Sequence, residues 1–202
     1  MELEGYDSSA YKGTQSKQTS SINNSLSKEE DIGESSLATA ERVSSSSNRD
    51  GKAYLGPLLA NAKQHLTQGK ASIALAILDP LNTGESKNPE YHFLVGRAYQ
   101  ELKQNTESLE SYSLAIHLDP RNYKYWINRG LVKGALQDPN GSLKDLSESL
   151  RLRKTPKGYL NRGVTYAALN KQEEAISDLS NAIEIDPNYY QAYRNRGIIL
   201  KH

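Results

Sequence analysis

Small and large residues recur at a fixed period from about residue 53 onward, whereas the apolar residues before that point stand isolated and aperiodic. The phrases WINRG, YLNRG and YRNRG end on Gly130, Gly163 and Gly197. With Gly96 and Ala62 as earlier equivalents, the spacings between these small anchors are 34, 34, 33 and 34 residues. Other positions keep register with the anchors. Four residues before each stand Leu58, His92, Trp126, Tyr159 and Tyr193; twelve after stand the small Ala74, Ser108, Ser142 and Ala175; sixteen after stand the large Leu78, Tyr112, Leu146 and Leu179. Nineteen after come Leu81, Ala115, Ser149 and Ala182, and two units close with Asp119-Pro120 and Asp186-Pro187, where proline ends a helix. The pattern predicts two antiparallel helices per unit. The small residues let them touch, the large ones fill the space beside that contact, and each pair leaves an apolar face that only a neighbouring pair can cover.

This spacing and residue set resemble the tetratricopeptide repeat, and the resemblance covers roughly residues 53–202. It implies an all-α fold: a right-handed superhelical solenoid of about four helix-turn-helix repeats, closed by a capping helix near 188–201. Some positions depart from the pattern. Repeat one carries Pro57, Asn61 and His65 on its first helix and leaves through a longer loop with Gly84, Ser86 and Pro89. Repeat three has Lys133 where an aromatic is usual, Ser149 where alanine is usual, and one residue fewer before Gly163.

Composition divides the chain in the same place. Residues 1–50 hold thirteen Ser and three Thr, and their apolar residues, such as Leu3, Ile22, Leu26, Ile32 and Val43, are scattered singly. Such a stretch buries too little to offset its ordering entropy, so 1–50 is expected to be a disordered Ser-rich arm, open to phosphorylation, before a repeat domain over 51–202. The arm has nine acidic and five basic residues; the remainder has fifteen acidic and twenty basic, so an overall charge of +1 conceals opposite halves. No long apolar run is present, and Glu2, Glu4 and Asp7 stand where a targeting peptide would carry basic residues. The expectation is a soluble intracellular, cytoplasmic protein without membrane insertion.

Catalytic chemistry finds little purchase. With no cysteine there is no thiolate nucleophile and no cysteine-ligated metal. His65, His92, His117 and His202 lack ligand spacing, and the recurrent glycines fall inside helices rather than in phosphate-binding turns. No enzyme activity, metal or cofactor is expected. Arg151, Arg153, Lys154 and Lys157 form a basic cluster that, with the tyrosines, suggests RNA. Cations at a helix C-terminus offset its dipole, however, and the tyrosines fall on packing positions. Nucleic-acid binding is therefore the weakest of three readings.

The resemblance implies that first helices line a concave groove, with groove positions six, three and two residues before each anchor and one after it. Carried over to repeats three to five, these are Lys124, Lys157 and Gln191; Ile127, Leu160 and Arg194; Asn128, Asn161 and Asn195; Leu131, Val164 and Ile198. A column of primary amides beside apolar residues suits the backbone of an extended peptide. Some family members clamp the C-terminal carboxylate of heat-shock chaperones with two lysines, two asparagines and an arginine. Here only Asn128 and Lys157 match, with Phe93, Arg97 and Asn161 at the other positions, so that clamp is incomplete. The leading expectation is a protein-protein interaction module, an adaptor or assembly factor that binds a peptide or helix of a partner in the groove. The alternative is a structural subunit that uses its convex face and arm.

One pairing follows from the sequence itself. Arg129 and Arg162, just before their anchors, are each followed sixteen residues later by an aspartate, Asp145 and Asp178; in repeat two the same positions are Val95 and Ser111, and in repeat one Asn61 and Ile77. A hairpin that turns midway sets these positions opposite one another. Structural Arg–carboxylate pairs are expected within repeats three and four, each contributing ~0.2–1 kcal/mol if partly exposed. Arg196 is expected to stay free, since its repeat lacks a second helix.

Overall fold

The computed structural model describes residues 51–79 and 87–201, with side chains from Leu55 onward. The Ser-rich arm of residues 1–50, the exit loop through Gly84 and Ser86, and His202 lie outside the described residues. Among those described, the chain forms nine helices and no strand. They fall into two compact units, one ending at Ser86 and the other spanning Lys87–His202.

The first unit holds α1 (Gly51–Thr67) and α2 (Ala71–Leu78). Its core is Leu58, Leu59, Ala62 and Leu66 with Ala71, Ala74, Leu75 and Leu78, all buried. The second unit holds α3 (Pro89–Glu101) with α4 (Asn105–Leu118), α5 (Tyr123–Ala135) with α6 (Pro139–Leu152), α7 (Pro156–Ala168) with α8 (Gln172–Ile185), and the single α9 (Tyr190–Ile199). The first helices α3, α5, α7 and α9 each touch the next, and α4, α6 and α8 each pack on the first helix that follows. This is the stacking of a solenoid, in which every hairpin buries the face its neighbour leaves open.

Local sequence sets where each helix starts. Asn88 Oδ1 accepts from the Glu90 and Tyr91 amides at 2.8 and 3.2 Å, Asp138 Oδ1 from the Gly141 amide at 2.8 Å, and Thr155 Oγ1 from the Gly158 amide at 3.1 Å. Pro89, Pro139 and Pro156 follow these caps at a position where a missing N–H does no harm. The turns between paired helices are the same in all four hairpins. Seven residues after each anchor the backbone is left-handed, at Gly69, Lys103, Gln137 and Asn170, with φ of 72°, 63°, 63° and 59°. The amide of the next residue reaches back to the carbonyl five before it, at 2.9 Å each time: Lys70 to His65, Gln104 to Tyr99, Asp138 to Lys133, Lys171 to Tyr166. This is the Schellman closure, which satisfies orphaned carbonyls at the helix end.

The anchors sit where helix meets helix. A Cβ built on Gly130 would stand 3.1 Å from Leu146 Cγ and 3.3 Å from the Ser142 carbonyl oxygen; on Gly163 it would stand 3.1 Å from both the Ala175 carbonyl oxygen and Leu179 Cγ. At Gly96 the neighbour is the ring of Tyr112, at 2.8 Å, and Ser108 Oγ donates to the Gly96 carbonyl at 2.7 Å. Tyr112 is buried, with its hydroxyl held by Gln100 Oε1 at 2.8 Å, so the ring has little room to yield.

Two substitutions test this geometry by urea unfolding. Gly96→Ala is expected to destabilise by about 1–3 kcal/mol, the usual effect of overpacking a filled contact. Gln137→Gly should stabilise by up to about 1 kcal/mol, because it removes the left-handed strain of a side chain at some entropic cost. A neutral Gly96→Ala would mean that Tyr112 moves aside freely.

Candidate functional site

Two polar features stand on the first helices of the second unit: a ladder of arginines facing the second helices, and a row of asparagines and lysines on the groove positions.

The ladder begins with Arg129. Its Nε and Nη2 donate to the two oxygens of Asp145 at 2.7 and 2.9 Å, while Nη1 donates to Ser113 Oγ of the preceding repeat at 3.2 Å. Arg162 repeats the arrangement with Asp178 at 2.7 and 2.9 Å and Ser147 at 3.2 Å. Both forks are bidentate, the strong form of this contact. Hydrogen bonding to Asp178 pushes the Arg162 guanidinium above its ordinary value, against the opposing effect of partial burial. Trp126 lies under Arg129 at 5.0 Å, and Tyr159 and Tyr166 flank Arg162 at 5.9 and 5.8 Å, so each guanidinium is also held over aromatic faces.

Three details were not foreseen from the sequence. The carboxylates are more buried than a partly exposed pair would have them: the side chains of Asp145 and Asp178 are 1% and 5% exposed, although their arginines reach solvent. Lys133, in the slot usually aromatic, adds a second cation to Asp145 at 2.9 Å. Arg196 is not free: its Nη1 donates to Ser180 Oγ at 3.1 Å and its guanidinium lies 5.6 Å from the Tyr193 ring. A signal for the serines was present, since Ser113, Ser147 and Ser180 all stand seventeen residues after an anchor.

The groove positions divide by burial. Ile127 is 2% exposed and belongs to the core, which corrects its expected place in an apolar strip. Its repeat sits mid-stack, where α5 is touched by both α3 and α7. The equivalent Leu160 is half-buried beside the Leu179–Ala182–Ala192 cluster, and Arg194 on α9 is exposed. Leu131 is half-buried; Val164 and Ile198 are exposed. Among the asparagines, Asn128 and Asn195 turn Nδ2 back to the Lys124 and Gln191 carbonyls of their own helices at 2.7 Å. Asn161 Nδ2 is buried and has no partner.

Around that amide the surface is cationic. Lys124 and Lys157 are exposed. Although Lys157 reaches solvent, the surrounding wall dries its ammonium and lowers its pKa, and the Arg97 charge on α3 lowers it further. By contrast, the basic cluster at the end of α6 is partly neutralised: Arg151 pairs with Glu148 at 2.7 Å, and Arg153 lies over Tyr123. Among the described residues no three acidic or histidine side chains form a group suited to a metal ion, and no helix is long and apolar enough to cross a membrane.

Comparison with known proteins gives the same architecture. Residues 89–122, α3 with α4, and residues 156–189, α7 with α8, match tetratricopeptide-repeat family models. These two stretches are tetratricopeptide repeats. No curated protein matches it in sequence. Among solved structures it is similar to a thermophilic TPR protein of Thermus thermophilus, at 20% identity and a TM-score of 0.65 over 82% of this chain and 89% of that one. MamA from Desulfovibrio magneticus RS-1 is similar at 19% identity and a TM-score of 0.63, over 71% and 82%. The first TPR domain of Spaghetti (RPAP3), bound to the HSP90 peptide SRMEEVD, is similar at 24% identity and a TM-score of 0.55, over 58% and 94%. At these identities the likeness is one of fold.

The buried forks make a stability prediction. Asp145→Asn leaves the Arg129 and Lys133 cations facing a neutral amide and should destabilise by about 3 kcal/mol, the low end for a broken buried pair because both cations keep access to water. Ser113→Ala removes one hydrogen bond and should destabilise by about 1 kcal/mol. Chemical denaturation of both variants checks the order. A smaller loss for Asp145→Asn than for Ser113→Ala would show that the fork is only a surface ion pair.

Proposed function

We propose that the chain is a non-catalytic adaptor or assembly factor that takes an extended, acidic segment of a partner protein along the first-helix face of α3, α5 and α7. The observation that carries this reading is Asn161, whose buried Nδ2 has no partner on a face where the equivalent Asn128 and Asn195 satisfy theirs. A buried donor left open is an uncommon and unfavourable feature, and turning the Asn161 amide outward would let a peptide carbonyl satisfy it. Arg97, Lys124 and Lys157 occupy groove positions of three successive first helices, offset by Glu101, 3.6 Å from Arg97, and by the exposed Glu90 at the position equivalent to Lys124 and Lys157. The similar Spaghetti domain is bound to a peptide, SRMEEVD, which supports peptide capture by this architecture. The departures at Phe93, Arg97 and Asn161 favour acidic side chains within a segment over a terminal carboxylate as the recognised group.

Selection of short displayed peptides on the full chain tests the reading. Selected peptides should be rich in Asp and Glu, and their affinity should fall as salt rises. Asn161→Ala and Lys157→Gln should each weaken them by about tenfold, the equivalent of one charge-assisted hydrogen bond. Lys157→Gln should leave the melting temperature unchanged or raise it, since the folded state disfavours that charge. The sign follows from the shift: a lysine whose pKa is lowered by folding opposes folding wherever it is protonated, which includes neutral pH. Peptides that bind both variants as well as the parent would exclude this face and shift attention to the convex surface.

A further inference from the structure

Among the described residues, α9 repeats the first-helix half of a hairpin with no second helix packed over Gly197. In repeats three and four the anchor glycine is covered by the second helix, within 3.1 Å of a built Cβ; at Gly197 nothing lies within 4 Å. One residue earlier, Arg129 and Arg162 each commit Nε and Nη2 to an aspartate and Nη1 to a serine of the preceding repeat. Arg196 makes the serine bond alone, to Ser180 at 3.1 Å, and lies beside Tyr193 as Arg129 lies beside Trp126. Its guanidinium thus holds the same two supports as its equivalents, and among the described residues no carboxylate meets it.

The rest of that face is apolar. Tyr190, Tyr193, Gly197 and Leu200 follow at steps of three, four and three residues, which places them on one side of the helix. Tyr190 is 71% exposed, Tyr193 44% and Leu200 65%. The opposite side of α9 is anchored, with Ala192 buried against Leu179 and Ala182, and with Tyr189 and Ile199 packed around them. The helix therefore has a fixed orientation and an open face.

We infer that this face of α9 docks an α-helix of a partner protein that carries a small residue, then two of any kind, then Asp and a large aliphatic residue. The two filled copies in this structure define those requirements. Ser142, Asp145 and Leu146 on α6, and Ala175, Asp178 and Leu179 on α8, supply the close approach, the bidentate acceptor and the side chain over the glycine. The partner helix runs antiparallel to α9. Its aspartate takes Arg196 Nε and Nη2, and its aliphatic residue covers Gly197. The site is independent of the peptide groove, whose positions on α9 are Gln191, Arg194, Asn195 and Ile198.

A peptide with the sequence of α8, Gln172–Ile185, is a defined probe, because it already carries Ala175, Asp178 and Leu179. Titrated into the full chain and followed by amide NMR, it should give saturable shifts along Tyr190–Leu200 and at Arg196 Nε. Asp178→Asn in the peptide, or Arg196→Gln in the chain, should each weaken binding about tenfold or more, as loss of a charge-assisted pair does. Gly197→Leu in the chain fills an open space, so its melting temperature should hold while binding is lost. Four outcomes would overturn the proposal: no binding up to the solubility limit of the peptide; binding that survives both chain variants; shifts centred on α7, where the peptide would be replacing α8; or an α9 face covered by a second copy, seen as self-association lost in Gly197→Leu.

Discussion

At Gly130 and Gly163 the backbone of one helix runs against the side chains and carbonyls of the next so closely that a methyl group would stand only 3.1 Å from its nearest neighbours. That approach determines most of what surrounds it. Two helices so close leave no solvent between them, so the aspartates on the second helix, Asp145 and Asp178, are buried by the same contact. A buried carboxylate needs a cation with matching donors, and Arg129 and Arg162, one residue before the glycines, are placed to supply it. The third donor of each guanidinium then reaches a serine on the preceding repeat. A contact within one hairpin therefore sets the register between hairpins. Repeat two solves the same contact without charge: Tyr112 fills the space and Ser108 holds the Gly96 carbonyl.

The repeat period, the helix pairing and the close contacts at Gly96, Gly130 and Gly163 were legible in the sequence, because they depend on residue size at fixed separations. The Arg–Asp pairs were legible for a related reason: a hairpin of constant length turns a separation of sixteen residues into a cross-helix contact. Burial on the groove side was not, since it depends on position in the stack. The place three before the anchor is buried at Ile127, half-buried at Leu160 and exposed at Arg194, as cover from neighbouring first helices declines toward α9. Lys133 illustrates the same limit. Read as a departure from an aromatic slot, it is in the structure a second partner for Asp145, a role visible only once that carboxylate is known to be buried.

The left-handed turn residues show how strictly this geometry is imposed. Glycine suits the position, and Gly69 occupies it in the first hairpin, but Lys103, Gln137 and Asn170 accept the same φ with a side chain attached. The repeated hydrogen bond from the following amide holds each turn closed. Local strain is tolerated because the packing of both helices fixes where the chain must reverse.

That same economy makes the exceptions informative. Where the solenoid buries charge it matches it, as at Asp145 and Asp178, and its helix starts are capped by Asn88, Asp138 and Thr155. Buried polar atoms without partners do occur elsewhere among the described residues, at His65 on the first helix α1, at Gln104 in a turn and at Ser149 on a second helix. Asn161 differs by its company. It lies four residues from Lys157, whose charge the fold disfavours, and Arg97 adds a second cation from across the stack. An unfilled donor and a lysine whose charge the fold disfavours both become more favourable when an acidic, carbonyl-bearing chain lies over them.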